Sequence, residues 1–264
     1  MFKKLIPGYL SAGLLILLMS SCGEYSKLLK SSDYDLKYEK AMEYFAKEDY
    51  TKASTLFEEL LTIVRGTERA EQVAYHHAYC YFHQQDYIMA GYYFGNFVKS
   101  FPNSPLAEEC AFMVAKCYYE DSPSSSLDQA NTYLAIQELQ RFMNRYPGSL
   151  RVEESNRLID ELQDKLVKKS FESASLYYKL GEYKAAITAL QNSLKEFPDT
   201  RYREELLYLV VKSSYELARN SVPDKMKERF ASTTEACDVF KEEFPESRYI
   251  KETERIQANA LKYL

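Results

Sequence analysis

The sequence predicts an all-α protein made of stacked helix pairs, and three observations carry that prediction. The 264 residues include only 8 Gly and 8 Pro, too few to punctuate a strand-rich chain of this length. A pattern of small and aromatic residues recurs without gaps in three places. An aromatic–Pro–X–Ser/Thr signal recurs four times between the helical stretches. The chain is rich in tyrosine (24) and has no tryptophan, and its 46% hydrophobic content is enough for a core. The formal net charge of −5 disfavours general nucleic-acid binding, which needs a basic footprint.

The N-terminus reads as a leader over residues 1–21. Lys3 and Lys4 form a positive start, Leu5 to Met19 an apolar stretch, and Ser20-Ser21 a small-residue approach to Cys22. The apolar stretch is short for a membrane span, which needs ~20 residues. A lipobox, the acylation signal of bacterial lipoproteins, reads Leu, two small residues, Cys. Here Leu18 stands one place further upstream and Met19 takes its position. Cys22 is the expected lipidation site, with residues 22–32 as a linker and several acyl chains as a stable anchor. Gly23 follows the cysteine where Asp would signal inner-membrane retention, which is compatible with outer-membrane sorting. Cys80, Cys110, Cys117 and Cys237 are expected to be small buried hydrophobes; Cys110 and Cys117 are two helical turns apart, too far for a disulfide.

The gapless repeat runs Ala41, Tyr44, Tyr50, Ala53, Phe57; then Ala78, Tyr81, Tyr87, Ala90, Phe94; then Ala174, Tyr177, Tyr183, Ala186, Leu190. An acidic residue precedes the middle tyrosine each time: Asp49, Asp86, Glu182. The small residues let paired helices approach closely, and Tyr44, Tyr81 and Tyr177 are expected to fill the space between them. A pair cannot bury its face alone, so pairs stack. The second signal appears at Phe101-Pro-Asn-Ser104, Tyr146-Pro-Gly-Ser149, Phe197-Pro-Asp-Thr200 and Phe244-Pro-Glu-Ser247. Its aromatic closes a helix on the core, its proline stops that helix, and its hydroxyl caps the next.

This spacing resembles the tetratricopeptide repeat. It predicts a superhelix of about five helix-turn-helix repeats, at about 33–66, 68–103, 104–148, 149–199 and 200–246, with a C-terminal capping helix at about 247–262. Repeat three carries an insert, Ser122-Pro-Ser-Ser-Ser126, and repeat five a break near Pro223. Leu158, Ile159, Leu162, Leu166 and Phe171 place an apolar stripe on a long helix from Leu150 to about Leu180. That helix would join a front half, 33–148, to a back half, 149–264.

Signs of chemistry are sparse. His76, Cys80 and His83 share a helix face with ligand types that suit zinc, but no fourth ligand is evident and the helix already serves a repeat. Glu58-Glu59, Glu108-Glu109 and Glu204-Glu205 are adjacent on helices, point in different directions, and read as solvated faces. There is no nucleophile elbow, phosphate loop or zinc-protease motif. No enzyme activity, catalytic residue, metal or cofactor is expected. In the tetratricopeptide family, first-helix positions flanking the small residue line a concave groove. Counted from Ala41, Ala78 and Ala115, these are Tyr38 and Phe45, then Tyr75, Tyr79 and Phe82, then Phe112 and Tyr119. An aromatic-rich groove suits peptide recognition.

A lipobox followed by five such repeats resembles the BamD family, the lipoproteins of the outer-membrane β-barrel assembly machinery. The resemblance is carried by Phe101-Pro-Asn-Ser-Pro-Leu-Ala107, by Asp128 and Ala130 running into Tyr146-Pro-Gly-Ser149, and by the long helix leading to Ser173-Ala-Ser-Leu-Tyr-Tyr178 and Gly181-Glu-Tyr183. It implies front repeats that engage unfolded outer-membrane barrel precursors and back repeats that dock on a BamA-like barrel-forming subunit. The lipid anchor would hold the domain to the outer membrane, facing the periplasm. Proteobacterial relatives carry arginines at places that align with Leu180 and Ala189, so the implied dock is more apolar here. The other reading is an envelope lipoprotein that scaffolds cell-wall or division proteins or binds glycan.

Overall fold

The computed structural model describes residues 23–264. Cys22 and the leader lie outside the described residues. Among those described, the chain is helical with no strand. Residues 23–29 form α1. The front helices are α2 (Tyr34–Ala46), α3 (Tyr50–Ile63), α4 (Arg69–His83), α5 (Tyr87–Ser100), α6 (Ala107–Glu120) and α7 (Ala130–Arg145). Then come α8 (Val152–Lys179), α9 (Tyr183–Glu196), α10 (Arg203–Arg219), α11 (Pro223–Glu243) and α12 (Ile250–Ala260), ending in a 3₁₀ turn, Leu261–Tyr263. They form the sequential antiparallel pairs of a tetratricopeptide architecture. Pro223 does not break repeat five from within; it opens α11 at a first-turn position, where its missing N–H costs nothing.

Two compact units result. The first runs through Ser122 and resumes for Ala130–Asn156; the second takes Pro123–Gln129 and Arg157–Leu264. The boundary therefore falls inside α8, whereas the repeat pattern divides front from back at residue 149. α8 itself is 28 residues long, ~42 Å at 1.5 Å per residue.

In the first unit each helix from α2 to α7 packs on the next. Ala41, Ala53, Ala78 and Ala90 are completely buried, as close helix approach requires. Leu28 of α1 joins the core formed by Leu56, Phe57, Leu60 and Val73. Lys37 is buried beneath α1, where its ammonium donates to the Leu29 carbonyl at 2.9 Å and pairs with Glu59. In the second unit, Ala174 of α8 meets Ala186 and Leu190 of α9 and Leu206 and Val210 of α10. Val211, Cys237, Phe240 and Ile256 continue that core through α10, α11 and α12. The tyrosines expected between helices divide: Tyr44 meets Tyr25 edge-on at 5.6 Å and Tyr81 stacks on Tyr93 at 5.1 Å, but Tyr177 is exposed.

The two local signals have clear structural roles. Asp49 and Asp86 cap α3 and α5, accepting from the Lys52 and Met89 N–H groups; Glu182, one methylene longer, makes no such bond to α9. At the aromatic–Pro motif, Phe101, Tyr146, Phe197 and Phe244 each make the last helical N–H bond, 2.8–2.9 Å to the residue four before. The hydroxyls of Ser104, Ser149, Thr200 and Ser247 then each accept from the N–H two residues on, at 2.9–3.2 Å. They cap a turn just ahead of the next helix.

Candidate protein-binding face

The first helices of the front pairs, α2, α4 and α6, present the residues singled out in the sequence. Tyr38, Phe45, Tyr75, Tyr79, Phe82 and Tyr119 are all half-buried around the buried Ala41, Ala78 and Ala115. Phe112 differs. It is 1% exposed and packs on Phe142 at 5.5 Å, so it has no surface to offer a partner.

The rings of the first two helix pairs interlock. Phe45 of α2 meets His76 of α4 edge-on at 4.9 Å, and Tyr75 lies 4.7 Å from Tyr79. Tyr79 also meets Phe94 edge-on at 4.9 Å. Arg69 lies over the Tyr38 ring at 4.9 Å, and Lys116 over the Tyr119 ring at 4.5 Å. The face is therefore a set of aromatic rings with cations at two of its places, in which packing fixes Phe45, Tyr75, Tyr79 and Phe82.

A polar relay beneath the band was not legible from the tyrosine pattern. The Tyr79 hydroxyl donates to Glu109 at 2.6 Å. Glu109 also accepts from Arg151 at 2.5 Å, and the Arg151 guanidinium lies 4.4 Å from the Phe112 ring centre. Burial raises the Tyr79 hydroxyl pKa, and the hydrogen bond it donates to the Glu109 carboxylate raises it further. Tyr79 is thus a neutral donor that ties α4 to α6. Only the adjacent Glu108-Glu109 pair pointed to this, and it reads as solvated.

That reading of the carboxylate pairs holds for the exposed Glu58 and Glu108 and is corrected by the structure for Glu59, Glu109, Glu204 and Glu205, which are half-buried. Glu108 accepts from Ser149 at 2.6 Å and Glu204 from Ser247 at 2.6 Å, while Glu71 accepts from Ser104 at 2.5 Å. Glu205 pairs with Arg248 at 3.4 Å and Glu59 with Lys37. First-turn glutamates thus bind the capping motif of the following repeat. They are struts between repeats, because the hydroxyl that accepts from a backbone N–H still has its own proton to donate.

The His76, Cys80, His83 face is occupied by packing. His76 Nδ1 is 2.7 Å from the Gln72 carbonyl, and His83 stacks on Tyr50 at 4.4 Å. Cys80 is buried, which pushes its thiol up to about 12. Cys80, Cys110, Cys117 and Cys237 are all free and buried. No group of metal-ligating side chains occurs among the described residues. Among the same residues no helix is long and apolar enough to cross a membrane. In the second unit, Leu180 is exposed beside the exposed Leu176 and Tyr177, while Ala189 packs against the α8–α10 core.

A family model described as the YfiO outer membrane lipoprotein matches residues 31–230. Among curated proteins, none matches. Solved structures that resemble the chain include a TPR repeats protein from Bacteroides fragilis NCTC 9343, 15% identical, covering 89% of this chain and 100% of that one at a TM-score of 0.42. The TPR2AB domain of yeast Sti1, in its pHSP90 complex, is 11% identical, covering 87% and 98% at 0.41. The P58(IPK) TPR domain is 14% identical, covering 90% and 67% at 0.42.

Proposed function

The chain belongs to the YfiO outer membrane lipoprotein family, a non-enzymatic one, and from that premise we propose that it is an adaptor of the outer-membrane β-barrel assembly machinery. In this reading Cys22 carries the lipid, and the domain faces the periplasm. The front repeats receive the C-terminal segment of an unfolded barrel precursor. The observation that carries this is the aromatic band of Tyr38, Phe45, Tyr75, Tyr79, Phe82 and Tyr119. Preorientated half-buried rings offer apolar area at low entropic cost and keep polar tips for peptide groups. Phe112 drops out of that set. The back repeats dock on the barrel-forming subunit, and the exposed apolar trio Leu176, Tyr177 and Leu180 supports a contact without salt bridges.

The test is site-specific photo-cross-linking in membranes. A photoreactive residue replaces Tyr38, Tyr75 or Tyr119 in the full lipoprotein, leaving Tyr79 to its strut. We expect adducts with C-terminal segments of barrel precursors, and loss of most of that yield when Tyr75→Ala is added to a Tyr38 or Tyr119 probe. A photoreactive residue at Leu180 should instead capture the barrel-forming subunit. Adducts confined to division or cell-wall proteins, or to none of these, would sink the assembly reading.

A further inference from the structure

We propose that the cleft between α5 and α6 is a binding site for an arginine side chain of a partner polypeptide. This goes beyond the adaptor reading and uses other residues. The cavity is about 430 Å³, and its walls include Tyr87, Gly91 and Tyr92 of α5, Tyr118 of α6 and Asp121. Three tyrosine rings lining one space are a setting for a cation, because an aromatic ring carries negative potential on its face.

The charge at the cleft has the matching sign and is uncompensated. Asp121 accepts one hydrogen bond, from Asn131 at 2.6 Å to Oδ2, and makes no ion pair among the described residues. Its neighbour Glu120 is paired with Lys116 at 2.9 Å. A carboxylate in such a cleft gains most from a donor that is itself charged. Gly91 adds no side chain to the cleft wall; a Cβ there would meet Cys117 Cβ at 3.4 Å, an ordinary van der Waals contact.

Arginine fits better than lysine. Its planar guanidinium stacks on rings and can still present two N–H groups to one carboxylate. A polypeptide fits better than a free cation, because Ile88 and Tyr92, one turn apart at the rim, are 75% and 60% exposed. That apolar rim has use only for residues flanking the arginine.

The experiment uses the full lipoprotein in detergent micelles, titrated calorimetrically and by NMR of the Ile88 methyl groups. The probes are acetyl-leucyl-arginyl-leucine amide, its citrulline counterpart, which is neutral but of the same shape, and arginine amide alone. The arginine tripeptide should bind saturably, with the citrulline peptide at least about fivefold weaker. Asp121→Asn keeps an acceptor for Asn131 and should erase that discrimination. Tyr92→Ala should weaken binding about fivefold, and Tyr92→Phe should restore it. Equal binding of the citrulline peptide, discrimination that survives Asp121→Asn, or no saturable binding overturns the proposal. Arginine amide binding as tightly as the tripeptide overturns the polypeptide source. None of these results bears on cross-linking at Tyr38, Tyr75 or Tyr119, so this proposal and the adaptor reading fail separately.

Discussion

His77 is completely buried on α4, and neither ring nitrogen has a hydrogen-bond partner among the described residues. Its neighbours are ring edges and faces: Tyr81 at 5.2 Å and Tyr93 at 4.4 Å. Burial therefore depresses its pKa from 6.5 to about 4, since the charged form would be stranded in an apolar site. The unfolded chain takes up this proton near pH 6.5, while the folded chain resists until about pH 4. The stability tied to neutral His77 is therefore full above pH 6.5 and is lost as pH falls toward 4. The loss is about 3 kcal/mol. His77→Leu is close in volume and removes both unpartnered nitrogens. We expect the variant to match or exceed the parent at pH 7.5 and to lead it by a widening margin down to pH 4, as read by urea midpoints. A constant difference across that range would mean that His77 does not titrate with unfolding.

The turns within the helix pairs are built alike in three repeats. Glu48 and Gln85 have φ of 60° and 62°, and Gly181, at the same repeat position, has φ of 77°. The left-handed conformation reverses the chain so that Asp49, Asp86 or Glu182 can open the next helix, and only glycine adopts it freely. Gln85→Gly should therefore stabilise the fold by about 0.5–1 kcal/mol, and Gly181→Ala should destabilise it by about 1–2 kcal/mol. Thermal or urea unfolding of the two variants checks both signs, and a stabilised Gly181→Ala would refute the shared geometry. The repeat spacing in the sequence already placed this turn, because alanines, tyrosines and the acidic residue fall at fixed steps around it. Helix ends at Phe101, Tyr146, Phe197 and Phe244 were legible for a similar reason: proline removes a donor and must end a helix. What lies between repeats was not legible. Ser149 donating to Glu108, or Tyr79 to Glu109, joins residues 41 and 30 positions apart, and no local period announces such a pair. Phe112 shows the same limit from the other side. It holds a groove position by count but is covered by Phe142 of α7 and by Arg151 in the turn before α8, both later in the chain.

At the scale of the whole molecule, the chain enters the second unit twice, first for Pro123–Gln129 and then from Arg157 onward. The insert in repeat three is therefore more than a surface loop of the front pairs. Gln129 is buried and donates to the Ser124 and Leu127 carbonyls at 2.8 and 2.9 Å, which folds the segment on itself. Lys169 on α8 then donates to the Leu127 carbonyl at 2.6 Å and to the Ser125 carbonyl at 3.4 Å, and Ser125 donates to Glu172 at 3.3 Å. A serine-rich segment with no apolar core of its own gains its order from these bonds. Removing a charged donor should release it, since such a bond contributes about 1.5 kcal/mol or more, roughly tenfold in the opening equilibrium. We expect Lys169→Ala to speed amide hydrogen exchange across residues 123–129 about tenfold and to leave α9–α12 unchanged. Lys168→Ala is the matched control: it removes a neighbouring charge that pairs only distantly with Glu172, at 3.9 Å. Equal exchange in the two variants would show that the insert is ordered by its own turns, and that its place in the second unit owes nothing to Lys169.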